Sequence, residues 1–243
     1  MHERMTLATA HRVLSQLRHD PRTVALLIVV PSLLMTLLRY VFNSSQAFNS
    51  LAPSLLGIFP FTMMFLVTSI TTLRERTGGT LERLMTTRIR RLDLLVGYAL
   101  AFGLIAFVQV LAAVATSAAL GMDVGGRLGW LLLIAIVNAQ LGVAIGLFAS
   151  AFARTEFQAI QFMPVVVFPQ LLLCGLFRPR TQMATVLSHI SDAMPMSYAV
   201  DALQRLSVDP QPHRTFFTDL LVVAGCALVS LVLAAATMRR SSD

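Results

Sequence analysis

No lysine occurs anywhere in the 243 residues, and all 19 basic side chains are arginine. That absence excludes a nucleotide-hydrolysing P-loop in this chain, because such a loop needs a lysine to reach the β- and γ-phosphates. Cysteine is equally scarce. The two present, Cys174 and Cys226, lie inside apolar runs, so they form neither a disulfide framework nor metal-ligand spacing and read as small buried side chains. Charged residues make up 13% of the chain, against roughly 25% in an average soluble domain. What fills the space is apolar: 56% of residues are hydrophobic and the mean hydropathy is +0.73. Such a chain is an integral membrane protein, and its net charge of +7 is a matter of topology and anionic lipid rather than nucleic acid. The N-terminus stays polar for about 20 residues before the first apolar run, unlike a cleavable signal peptide, and is expected to persist.

Six apolar segments follow, each long enough to cross a bilayer as a helix: Thr23 to Phe42, Pro53 to Leu73, Leu94 to Leu120, Leu128 to Phe152, Ala159 to Phe177 and Phe216 to Met238. Arginine is distributed unevenly between the two sides. Arg4, Arg12, Arg18 and Arg22 precede the first span, six arginines separate the second from the third, Arg154 lies between the fourth and fifth, and Arg239 and Arg240 end the chain. The other side carries Arg127 and four arginines spread over a long fifth connection. This bias predicts both termini inside the cell. Residues 1–22 read as a basic amphipathic helix lying in the interface, with Leu7, Ala10, Val13, Leu14 and Leu17 at helical spacing and Arg4, His11, Arg12, Ser15 and Arg18 elsewhere; Asp20-Pro21 ends it. Residues 23–243 form the six-span domain. Between the fifth and sixth spans, Ala184 to Ala193 reads as one short helix and Tyr198 to Leu206, capped by Ser197, as a second, together an outer re-entrant hairpin.

The most informative stretch is the charged island from Arg74 to Asp93, with six arginines and the acids Glu75, Glu82 and Asp93. Gly78-Gly79 breaks regular structure, Thr80 is an N-cap candidate, and Glu82 sits where a carboxylate meets the helix dipole favourably. Leu81, Leu84, Met85, Ile89 and Leu92 then make one apolar stripe opposite Glu82, Arg83, Arg90 and Arg91. Residues alone leave two readings open: a surface helix that marks the inner side, or a docking helix for a soluble subunit.

The run Arg74-Glu75-Arg76, then Gly79-Thr80-Leu81-Glu82-Arg83-Leu84-Met85-Thr86-Thr87, resembles the cytoplasmic signature of ABC-2 type transporter permeases, particularly drug and antibiotic exporters of the daunorubicin-resistance type. Pro195-Met196-Ser197-Tyr198-Ala199-Val200-Asp201-Ala202-Leu203 resembles the segment that precedes their last span. The resemblance implies an all-α, six-span permease of the plasma membrane of a bacterium, with a coupling helix between spans 2 and 3. It also implies two cytosolic ATPase subunits, which carry the ATP and magnesium, and a second membrane subunit, identical or paralogous. Arg74, Glu75, Arg76, Gly79, Thr80, Leu81, Glu82, Arg83, Leu84 and Met85 would form the ATPase-coupling surface. Arg88 stands where many relatives place proline after the paired threonines.

Inside the spans, Gln109, Asn138, Gln140, Gln161 and Gln170 are substrate-path candidates, with interhelical hydrogen bonding as their other use. No Asp, Glu or His falls near the middle of a span, which argues against a proton-driven carrier. Gly142 and Gly146 have the spacing for close helix approach, and Pro60, Pro164 and Pro169 interrupt the second and fifth spans. Nucleophile, base and orienting acid never fall into one group, and no metal or cofactor is expected on this chain. The expected function is the permease subunit of an exporter for hydrophobic or amphipathic compounds such as drugs, antibiotics or lipids. The competing classes are a lipid-modifying membrane enzyme, which lacks a polar catalytic cluster here, and a membrane scaffold that recruits a cytosolic partner through Arg74 to Asp93.

Overall fold

Asp20 and Pro21 begin the membrane-spanning part of the chain in the computed structural model, which describes residues 3–79, 91–209 and 211–237. Helix α1 (Glu3–Arg18) stops two residues earlier, and α2 (Pro21–Phe42) starts with proline at its first turn, where no N–H is needed. The Asp20 carboxylate accepts the Thr23 N–H at 3.2 Å and so caps α2. The chain then runs through α3 (Ser45–Thr77), α4 (Arg91–Ala119), α5 (Leu128–Ser150), α6 (Glu156–Leu173), the short pair α7 (Thr185–Asp192) and α8 (Pro195–Val208), and α9 (Arg214–Thr237). Every regular element among the described residues is helical, with one 3₁₀ turn at Arg180–Gln182. Six helices, α2 to α6 and α9, are long and apolar enough to cross a membrane, as the sequence predicts.

The centre of the bundle is α3 against α5, and two glycines set their distance. A Cβ on Gly142 would stand 2.4 Å from the Phe61 carbonyl oxygen, and one on Gly146 2.6 Å from that of Phe65. With hydrogen in place of a methyl group the two backbones touch, which is the close approach the spacing predicts. Phe61, Phe65, Leu56 and Leu141 are fully buried around this seam. Helices α8 and α9 cover α5, α4 joins its other side, and α1 lies across the start of α4. Leu26 and Leu33 of α2, Val165 of α6 and Leu221 and Val229 of α9 face outward, an arrangement that suits hydrocarbon rather than water.

Several boundaries differ from the sequence reading. The second span is far longer than Pro53 to Leu73: α3 covers 33 residues, about 50 Å of helix against a hydrocarbon core of about 30 Å. Ser44 explains its early start, since its hydroxyl accepts the Ala47 N–H at 3.3 Å and turns the polar stretch Ser45 to Ser50 into a helical lead-in. Pro53 and Pro60 are carried inside α3, and Pro164 and Pro169 inside α6, without ending either helix. The fifth span stops at Leu173 rather than Phe177, because the chain turns at Gly175, whose φ of 91° suits only a residue without Cβ. Ser197 does not cap the second short helix. That helix begins at Pro195, again a first-turn proline, and leaves Ser197 fully buried, its hydroxyl 3.0 Å from that of Ser191.

In α1 the buried stripe keeps most of the predicted one and widens toward Thr6 and Thr9. Thr6, Thr9, Ala10, Val13 and Leu17 are buried, whereas Leu7 is exposed. The two threonines are buried because α1 meets α4 at Gly97, where an added Cβ would come within 2.7 Å of the Thr9 side chain.

Candidate functional site

The last turn of α3 carries Arg74, Glu75 and Arg76 in succession, and side chains one residue apart on a helix point about 100° away from each other. Three neighbouring charges therefore reach three different parts of the bundle. Glu75 turns inward and is 8% exposed. Its Oε2 accepts from the Arg12 guanidinium of α1 at 2.7 Å and from the Tyr98 hydroxyl of α4. Arg12 also donates to the Tyr98 oxygen at 3.0 Å and stands 6.0 Å from the centre of its ring. One carboxylate thus joins α1, α3 and α4. Burial pulls the Arg12 pKa down, but the hydrogen bonds to Glu75 and the Tyr98 oxygen and the Glu75 charge outweigh it, so the net displacement is upward. The guanidinium is held firmly in its charged form.

Arg74 points away from this clasp and meets Glu156, the first residue of α6, through two parallel hydrogen bonds of 2.7 and 2.8 Å. Both partners of this fork are exposed. Arg76 reaches the turn after α5, donating to the Ala151 carbonyl at 2.7 Å and to that of Ala153. A cation just past the end of α5 satisfies carbonyls of the turn and complements the helix dipole. By these three side chains the end of α3 is tied to α1, α4, the α5–α6 turn and α6. The Gly78 N–H donates to the Arg74 carbonyl at 2.9 Å, and Gly79, at φ 71°, turns the chain away from the helix.

Of the predicted coupling residues, Arg74, Glu75, Arg76 and Gly79 are thus placed together at one end of the bundle. Thr80, Leu81, Glu82, Arg83, Leu84 and Met85, with the proposed cap at Thr80 and the departure at Arg88, lie outside the described residues. Where description resumes, Asp93 in the first turn of α4 is buried, and its Oδ2 has no hydrogen-bond partner among the described residues.

The five path candidates do not share a hydrogen bond with one another. Asn138 is buried and donates to the Gly57 carbonyl of α3 at 3.0 Å, while Gln140, two residues on, donates to the Ala99 carbonyl of α4 at 3.0 Å. Gln170 donates to the Val166 carbonyl at 3.2 Å and accepts the Met196 N–H at 3.4 Å. Gln161 is exposed on α6. Gln109 is fully buried in α4, and neither amide atom has a partner among the described residues.

Two charged clusters escaped the sequence reading. Arg12 was placed on the polar face of α1, and nothing in a helical wheel distinguishes an arginine that faces water from one that faces a neighbouring helix; Tyr98 sits in an unbroken apolar run. At the opposite end of the bundle, Arg127 donates to the Leu206 and Ser207 carbonyls, both at 2.8 Å, and so closes the C-terminus of α8. Nearby, Arg180 joins Asp192 to Asp201, the latter at 2.6 Å, with the Tyr198 ring 5.4 Å away. Arg180 is likewise pulled down by burial and carried upward on balance by the two aspartates. Among the described residues no group of His, Cys, Asp and Glu could hold a metal ion.

A family model described as ABC-2 type transporter matches residues 5–206. The chain is 26% identical over 210 residues to the Escherichia coli protein named Probable multidrug ABC transporter permease YbhS, an alignment of 84% of this chain and 55% of that one. Two Dictyostelium discoideum proteins are also similar. ABC transporter G family member 20 is 24% identical over 162 residues, 66% of this chain and 22% of its own length. For ABC transporter G family member 23 the figures are 25% over 179 residues, 71% and 25%. The chain therefore spans about half the length of the first and about a quarter of the other two.

Proposed function

Because the chain belongs to the ABC-2 type transporter family, we propose that it is the membrane permease of an ATP-driven exporter, worked by ATPase subunits that dock on residues 80–87. The observation that carries this reading is the anchoring of α3. Its last turn holds α1, α4 and α6 through Glu75, Arg74 and Arg76, and residues 80–90 follow immediately. A push on that segment would reach four helices rather than one. These 243 residues hold no lysine and so no P-loop, and in this reading two ATPase subunits bind the ATP and magnesium while a second membrane subunit completes the path. The arginine bias puts the α1 end, and with it both termini, on the cytosolic side. ATP then favours one arrangement of the spans by binding the motor better in that arrangement. Exported compounds are hydrophobic or amphipathic, in keeping with spans that bear no charge near their centres.

The test is Glu82→Arg in the complex purified with its ATPase. The variant is expected to insert and fold as the native chain does but to lose ATPase binding, or the stimulation of hydrolysis by transported compounds. Unchanged binding together with unchanged stimulation would overturn the coupling role.

A further inference from the structure

At the end of the bundle opposite the clasp, a cavity of about 380 Å³ lies between α7, α8 and the segment that joins α6 to α7. That volume is at the small end of ligand-sized pockets. Two arginines and two aspartates line it, Arg180, Arg205, Asp192 and Asp201, so the lining carries no formal net charge. Thr181, Ser188 and Gln204 stand among them, and the whole lining belongs to the described residues.

These charges are only partly spent on one another. Arg180 donates through Nη1 to Asp201 Oδ2 and through Nη2 to Asp192 Oδ1, which leaves Asp201 Oδ1 and Asp192 Oδ2 without a hydrogen bond among the described residues. Arg205 and Thr181 are exposed, Asp192 is 54% exposed, and the free oxygens of Asp201 and Ser188 are not sealed from water. The cavity therefore offers donors and acceptors together, on side chains that reach open space.

That mixture selects the ligand. An anion finds one free cation, Arg205, beside two carboxylates, and a cation finds those carboxylates already joined by Arg180. An apolar ligand would take water from four charged side chains and return nothing. A neutral hydroxyl both donates and accepts, and its hydrogen bonds to charged groups are the stronger kind. We propose that this cavity binds a pyranose sugar, its hydroxyls donating to Asp192 and Asp201 and accepting from Arg205. The chemistry is the same in a saccharide free in water and in a glycolipid headgroup. The inference concerns this chain alone and stands whether or not an ATPase docks on residues 80–87.

The full chain in phosphatidylcholine nanodiscs provides the test. The probe is octyl glucoside carrying a diazirine near its head, with octanol, octyl sulfate and octyl trimethylammonium bearing the same group as controls, and labelling is normalised to lipid-facing Leu221. The glucoside is expected to label residues 175–181, 188–192 and 201–205 about ten-fold more than each control does. Ser188→Phe, which fills the space, should abolish most of that difference. Arg205→Ala, at an exposed side chain bonded to no other among the described residues, should reduce it about three-fold; it decides the matter if Ser188→Phe lowers the thermal midpoint. Competition by maltose in solution assigns the site to a free saccharide, and competition only by glucosyl diacylglycerol in the disc assigns it to a glycolipid headgroup. Equal labelling by glucoside and controls, a preference for the sulfate or the ammonium, labelling that neither variant changes, or competition by neither sugar overturns the inference.

Discussion

Glu75 and Arg74 are neighbours in sequence and both form ion pairs, yet their energetic weights differ for a reason that lies in burial. The Arg74–Glu156 fork is well aligned, but both partners are exposed, with relative exposures of 61% and 49%. Exposed pairs contribute little, so Arg74→Ala should change stability by less than about 1 kcal/mol. Glu75→Gln is different. It leaves the Arg12 charge, 27% exposed, without its counter-ion and weakens the acceptor for Tyr98, at a cost of about 2 kcal/mol. Thermal unfolding in detergent, read through Trp130 fluorescence, gives the ordering directly; equal effects would mean that the clasp is no stronger than a surface pair. Arg127→Ala belongs with Glu75, because it would strip donors from buried carbonyls at the end of α8. It should cost about 2–3 kcal/mol, with faster proteolysis after Val208 as a second readout.

Among the helices, the seam between α3 and α5 makes the sharpest demand on residue size. Gly142→Ala puts a methyl group 2.4 Å from a backbone oxygen, which no rotamer can relieve, so α3 and α5 must separate. Overpacking of this sort costs about 1–3 kcal/mol. Gly129, in the same helix, has no atom within 4 Å of the added Cβ, so Gly129→Ala should stabilise by up to about 1 kcal/mol through helix propensity alone. Opposite signs for two identical substitutions in one helix, measured by the midpoint of thermal unfolding, check the seam. This contact was legible in the sequence because small residues four apart carry their geometry with them. The start of α3 at Ser45 was not, since Ser44 and Asn43 read equally well as loop until the cap is seen. On α1 hydrophobicity picks out Ala10, Val13 and Leu17 but not Thr6 and Thr9, which are buried by the missing Cβ of Gly97, a feature of the partner helix.

For the molecule as a whole, the six spans were legible from apolar run length and arginine bias, and the island from its contrast with them. The Arg12–Glu75–Tyr98 clasp was not, because residues 63 and 86 positions from Arg12 meet only in the fold. That clasp is where the proposed coupling can be separated from mere stability. If motion of residues 80–90 reaches α1 and α4 through Glu75, then Arg12→Glu should lower transport about ten-fold, a coupling change of ~1.4 kcal/mol, while the ATPase still co-purifies. Glu75→Arg should do the same. Combining the two restores an ion pair of opposite polarity between α1 and α3, and transport should recover a substantial part of the loss, since charges in contact are not additive. A change that acts only by destabilising the fold gives a different pattern, in which transport falls in the single variants and recovers in the double variant strictly in step with the thermal midpoint. Recovery of transport at an unchanged thermal midpoint is therefore the result that assigns the clasp to transmission, because it requires the two helices to be joined there without requiring which of them bears the positive charge.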